Sequence, residues 1–101
     1  MNWLEIIIFR VGGGPSHQDA LRLLSSLAES AGDNGLKVVK VYSRTDLPAD
    51  FCIHLEWQVE RLPSNGSAMG VRLAHALRDF GLINHTVWME EEKNETALYS
   101  G

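Results

Sequence analysis

Two helical stretches, each closed by a glycine and each set between β-branched runs, constrain this chain more than any other feature. In the first, Ala20, Leu24, Leu27 and Ala31 fall on one line, and Arg22, Ser25, Ser26 and Glu29 face away. Ser16 and Asp19 resemble a capping box before it, and Gly32 ends it. In the second, Ser67 supplies the cap and Met69, Leu73, Ala76, Leu77 and Phe80 form the apolar stripe. Val71, Ala74 and Arg78 are expected off that stripe, with Gly81 as the stop. Around these lie four candidate strands. Trp3–Phe9 is apolar at nearly every position, as in a central strand covered on both faces. Leu36–Ser43, Phe51–Val59 and Leu82–Glu91 follow, the third of the four showing strict alternation.

The order is strand, helix, strand, repeated twice. Right-handed crossovers fold it into the ferredoxin-like βαββαβ plan, an α+β domain. The expected sheet is four-stranded and antiparallel, with spatial order 4-1-3-2 and both helices on one face. Residues 1–91 form this single domain, and 92–101 read as a polar C-terminal tail.

Charge narrows the partners. The formal net charge is −4, with no run of Lys or Arg to neutralise phosphates, so a nucleic-acid interface is not expected. No apolar run approaches the ~20 residues of a membrane span, and the apolar start is broken by Glu5 without a cationic lead-in. With one cysteine, Cys52, an internal disulfide is impossible, and a reducing, cytoplasmic setting is the expectation.

With helices on one face only, strand alternation sorts the side chains. The helix side is expected to take Leu4, Ile6 and Ile8; Val39 and Val41; Phe51, Ile53, Leu55 and Trp57; and Ile83, Val87 and Met89. The other face then carries Trp3, Glu5, Ile7 and Phe9; Val38, Lys40 and Tyr42; Cys52, His54, Glu56 and Gln58; and Asn84, Thr86 and Trp88. Such a mixed aromatic and aliphatic face is too large to leave in water, and a second copy is the commonest cover. A homodimer is therefore expected.

The strand Phe51-Cys52-Ile53-His54-Leu55-Glu56-Trp57, a helix, and then Gly81-Leu82-Ile83-Asn84-His85-Thr86-Val87-Trp88-Met89-Glu90 resemble the dimeric α/β-barrel superfamily, especially its antibiotic-biosynthesis-monooxygenase-like branch. The likeness covers most of the chain and lies in pattern more than motif. It implies subunits paired sheet to sheet around a cavity. It also implies, if the protein is an enzyme, a cofactor-independent monooxygenase-like activity on a small aromatic molecule. Such chemistry needs a base to deprotonate a phenol or enol and aromatic walls to stack the anion.

His54, with an ordinary pKa near neutrality, and Glu56 are the candidate catalytic pair, with Glu5 on the adjacent strand as an alternative partner for His54. Trp3, Glu5, Tyr42 and Trp88 are the candidate ligand-binding residues. The bland alternative is an interfacial polar network of Glu5, His54 and Lys40 with aromatics packed across a dimer. Cys52, His54 and Glu56 are zinc-binding types, but alternate strand residues stand ~6.5–7 Å apart and three in line do not converge on one ion, so no metal is expected. His75 is expected on the solvent side of its helix and His85 as a hydrogen-bonded core histidine. His17, in the first helical turn, is expected at the surface. Gly12-Gly13-Gly14 lies where an ACT-like regulatory module would bind a small ligand, and a purely structural dimer without ligand is the remaining alternative.

Overall fold

In a computed structural model, the described residues are 1–11, 22, 23, 25, 26, 35–47, 50–79 and 81–91. Four strands, β1 (Asn2–Val11), β2 (Leu36–Ser43), β3 (Phe51–Gln58) and β4 (Gly81–Met89), and one helix, α1 (Ala68–Leu77), are complete among them. Of the expected first helix, Arg22, Leu23, Ser25 and Ser26 are helical, and the rest lies outside the described residues. So do His17, the Gly12–Gly14 loop, Phe80 and the segment 92–101.

The strands form one antiparallel sheet in the order β2-β3-β1-β4, which is the expected order read from the other edge. The central place of β1 follows from its sequence, since a strand without a polar row cannot sit at an edge. The pairing register puts Phe9 opposite Phe51, Ile7 opposite Ile53 and Glu5 opposite Leu55. On its other side β1 sets Phe9 against Ile83, Ile7 against His85 and Glu5 against Val87.

This register corrects the expected phase of β1. Directly paired residues share a face, so Trp3, Glu5, Ile7 and Phe9 join Phe51, Ile53, Leu55 and Trp57 on the helix-covered side, while Leu4, Ile6 and Ile8 lie on the open side. Glu5, Ile7 and Phe9 are fully buried, whereas Ile8 is 40% exposed. Between Trp3 and Phe9 both phases of β1 are apolar apart from Glu5, so composition does not choose between them. What decides is that the carboxylate finds partners under the helix. The expected faces of β2, β3 and β4 match the register.

The core is Ile7, Phe9, Phe51, Ile53, Leu55 and Trp57 from the sheet against Leu62, Met69, Leu73, Ala74 and Leu77. Ala74 is part of it, contrary to the expected stripe, because α1 rests on the sheet through positions 69, 70, 73, 74 and 77. His75 is exposed, as its place on the helix indicated. Gly81 does not stop the helix. The helix ends at Leu77, with Arg78 as its C-cap, and Gly81 is the first residue of β4. β3 likewise stops at Gln58 rather than Val59, and β4 at Met89 rather than Glu91.

Leu73 and Leu77 are both fully enclosed, so Leu73→Ala and Leu77→Ala should each lower stability by about 2–5 kcal/mol in urea denaturation. His75→Ala should leave the midpoint within experimental error.

Candidate functional site

The two faces of the sheet carry two separate groups of chemistry-bearing side chains. On the open face, His54 and Glu56 from β3 stand beside Leu4 of β1 and Trp88 of β4. They line a hollow of about 530 Å3, open to solvent, to which Asn2 and Lys37 also contribute. All three tryptophans, Trp3, Trp57 and Trp88, reach its lining. His54 stacks against Tyr42 of β2 with ring centroids 4.8 Å apart and planes tilted by 56°. Glu56 faces Lys40 at 3.7 Å, and both are substantially exposed, so that ion pair contributes little to stability. Trp88 turns its indole N–H to Thr86 Oγ1 at 2.8 Å.

A second, larger hollow of about 740 Å3 occupies the opposite end of this face, lined by Ile8, Tyr42, Cys52, Leu82 and Asn84 with Arg10, Arg44 and Asp50 at its rim. Partial burial pushes the Cys52 thiol above its ordinary range, which keeps it protonated at neutral pH. Arg44 closes the rim against Asp46 at 2.8 Å and Asp50 at 3.5 Å.

Of the expected site residues, His54, Glu56, Trp3 and Trp88 therefore meet at one hollow, and Tyr42 adjoins it through His54. Glu5 does not belong there. It lies on the other face of the sheet and is fully buried, so a Glu5–His54 pair is excluded, as is the polar network expected to include both. Trp3 is on the helix-covered face too, where its indole N–H donates to the Val59 carbonyl at 3.1 Å, although the residue still contributes to the hollow at the end of the strand. No hydrogen bond joins His54 to Glu56 among the described residues. Nor do any three His, Cys, Asp or Glu there come together as a metal set.

Under the helix, Glu5 is the centre of the other group. Its Oε1 accepts from Trp57 Nε1 at 3.0 Å and from the Ser67 hydroxyl at 2.7 Å. Its Oε2 accepts from the Ser67 backbone N–H at 3.0 Å and lies 2.5 Å from His85 Nε2. Ser67 is the N-cap of α1, and its Oγ also accepts from the Gly70 N–H at 2.9 Å. The carboxylate thus sits at the positive end of the helix, where an anion is favoured. Two glycines make the room. A Cβ at Gly70 would overlap the Glu5 carboxylate, and one at Gly66, whose φ is +111°, would overlap both Glu5 and the His85 ring.

The sequence marked His85 as a hydrogen-bonded core histidine, and it is one. The Glu5–Trp57–Ser67–His85 cluster as a unit was missed. Its signal was present: a lone carboxylate within an otherwise apolar central strand must be partnered, and Gly66 and Gly70 bracket a helix cap.

Removing the carboxylate leaves four polar groups facing a void. Glu5→Ala should therefore lower stability markedly, since each buried donor left unpaired costs about 1–3 kcal/mol. Ser67→Ala should cost roughly 0.5–2 kcal/mol as a lost N-cap. Both are read by urea denaturation followed by tryptophan fluorescence.

No protein-family model matches the sequence, and no curated protein does. Solved structures do match the fold. SnoaB, a cofactor-independent oxygenase from Streptomyces nogalater, superposes with a TM-score of 0.64 at 14% identity, over 94% of this chain and 98% of that one. A conserved protein from Methanosarcina mazei gives 0.65 at 16% identity, over 90% and 94% of the two chains. Rv0793 from Mycobacterium tuberculosis gives 0.59 at 14% identity, over 94% and 100%. The chain therefore shares the ferredoxin-like α+β fold of these structures.

Proposed function

We propose that the protein works as a homodimer closed through the open face of its sheet, and that the hollow beside His54 binds a flat aromatic molecule for cofactor-independent, monooxygenase-like chemistry. The observation that carries this reading is the hollow itself, about 530 Å3 with Trp88 and Leu4 as walls and His54 and Glu56 as polar groups. Aromatic and aliphatic walls meet there with Asn2, Lys37, His54, Glu56 and Glu90, polar groups able to orient a ligand.

The case for a second copy is the exposure of Ile8, Tyr42, Trp88 and Leu82, at 40%, 49%, 58% and 71%, on one face of one sheet. A second sheet laid over them buries that surface and turns the hollow into an enclosed cavity. Charges on this face are mixed in sign, Lys40 beside Glu56, so a copy of the same surface meets no net repulsion. SnoaB, which shares the fold, is a cofactor-independent oxygenase, and that supports the choice of reaction class.

In this reading the neutral imidazole of His54 takes a phenolic or enolic proton from the bound molecule. The resulting anion is stacked between aromatic side chains and is electron-rich enough to react with dioxygen directly. Tyr42 fixes one face of the imidazole, and Lys40 balances the charge of Glu56 at the mouth.

Ile8→Arg or Trp88→Arg should convert the dimer to a monomer in sedimentation velocity at micromolar concentration while leaving the fold intact. Arginine at Ile7 would instead unfold the subunit, because Ile7 is in its core. A wild-type monomer at that concentration would rule out the barrel. Since all three tryptophans border the hollow, phenolic and quinone compounds should quench their fluorescence. His54→Ala should weaken that quenching and abolish any oxygen uptake, and unchanged behaviour of the variant would remove His54 from the site.

A further inference from the structure

The hollow at the far end of the open face, about 740 Å3, is larger than the one beside His54, and the chemistry proposed at His54 does not use it. Its floor is a single cross-strand row. The register sets Tyr42 beside Cys52, Cys52 beside Ile8 and Ile8 beside Asn84, so each of the four strands gives it one residue. The next row outward sets Arg10 opposite Leu82. Alternate residues of a strand share a face, so Arg10 joins Ile8 on the open side.

Aliphatic carbon dominates the walls. Ile8 and Leu82 are both exposed there, and Cys52 adds a thiol that partial burial keeps protonated. Phe51 borders the hollow, but its ring is packed on Phe9 in the core with centroids 4.9 Å apart. Tyr42 has one side of its ring against His54. No pair of aromatic faces is left among the described residues to sandwich a planar molecule here.

Charge at the rim is unevenly committed. Arg44 donates Nε and Nη2 to the two oxygens of Asp46, at 3.1 and 2.8 Å, and turns Nη1 to Asp50 at 3.5 Å. Arg10 has one contact, Nε to Asp50 at 3.8 Å, which is beyond hydrogen-bonding distance, and its side chain is 62% exposed. Its two terminal amino groups make no hydrogen bond to a described residue. A guanidinium edge of that kind takes a carboxylate through two parallel hydrogen bonds.

We propose that this hollow binds a medium-chain aliphatic carboxylate, with its hydrocarbon laid over Ile8, Cys52 and Leu82 and its carboxylate paired with the outer edge of the Arg10 guanidinium. The volume falls within the roughly 300–1,000 Å3 of small-molecule sites. Binding is reversible and breaks no bond in the ligand. The hydrocarbon removes from water an apolar surface that one subunit leaves open. The site does not depend on His54. A second copy closed over the face would roof it.

The test uses sodium octanoate below its micelle-forming concentration, with 1-octanol as the uncharged counterpart. Cys52 is the only cysteine in the chain, so its alkylation by iodoacetamide, read by mass spectrometry, reports on the floor of the hollow. Saturating octanoate should slow that alkylation severalfold. Octanoate should also bind about tenfold more tightly than 1-octanol, the least that one charge-assisted hydrogen bond contributes. Arg10→Gln should remove that preference, Leu82→Ser should weaken both compounds, and His54→Ala should change neither. Protection that persists in a Trp88→Arg monomer confirms that one subunit holds the site. Alkylation unchanged by octanoate, or equal binding of octanoate and 1-octanol, overturns the proposal. Protection lost in His54→Ala and kept in Arg10→Gln also overturns it, because the acid is then in the other hollow. So does a thiol closed to reagent in the wild-type dimer and opened by Trp88→Arg, with octanoate without effect on either, since the second copy then fills the hollow.

Discussion

The buried carboxylate of Glu5 ties together elements that would otherwise meet only through apolar contact. It joins the central strand to β3 through Trp57, to β4 through His85, and to the cap of α1 through Ser67. Packing of Leu73 and Leu77 against the sheet favours burial without specifying where along the sheet the helix begins. Hydrogen bonds are directional, so the Ser67 N–H and hydroxyl, both aimed at one carboxylate, place the first turn of α1 over residue 5. The absence of side chains at Gly66 and Gly70 belongs to the same arrangement, because a methyl at either would occupy the carboxylate's space.

That choice has a consequence on the other side of the sheet. A strand turns alternate residues to opposite faces, so placing Glu5 under the helix sends Leu4, Ile6 and Ile8 outward. The open face then holds an aliphatic row in its central strand, flanked by His54 and Glu56 on one side and Trp88 and Leu82 on the other. The apolar character of that face and the polar centre of the other are one decision about register. It also separates the two imidazoles, His54 and His85, by the thickness of the sheet.

The fold is shared with proteins that have little sequence in common with this one, including a cofactor-independent oxygenase. At 14–16% identity the likeness is one of architecture, and function resides in the side chains placed on it. Here those side chains divide into an accessible set around His54 and a set sealed around Glu5. The accessible set combines aromatic walls with several polar groups. The sealed set holds one carboxylate with four hydrogen-bond contacts that tie β1, β3 and β4 to the cap of α1.

Element order, strand succession and the helix cap at Ser67 were legible in the sequence because each rests on local patterning. Periods of two and of about 3.6, a capping serine and an uninterrupted apolar strand are properties of neighbouring residues. The same locality explains why the faces of β2, β3 and β4 were readable, since each has a clearly more apolar row. In β1, between Trp3 and Phe9, both rows are apolar apart from Glu5 and local patterning is silent. Which row faces the helix was decided only when β1 paired with β3 and β4 and Glu5 came within reach of Trp57, Ser67 and His85. Those partners lie 52 to 80 positions away along the chain. A buried charge selects its strand phase by its partners, and partners so far apart in sequence become neighbours only in the folded sheet.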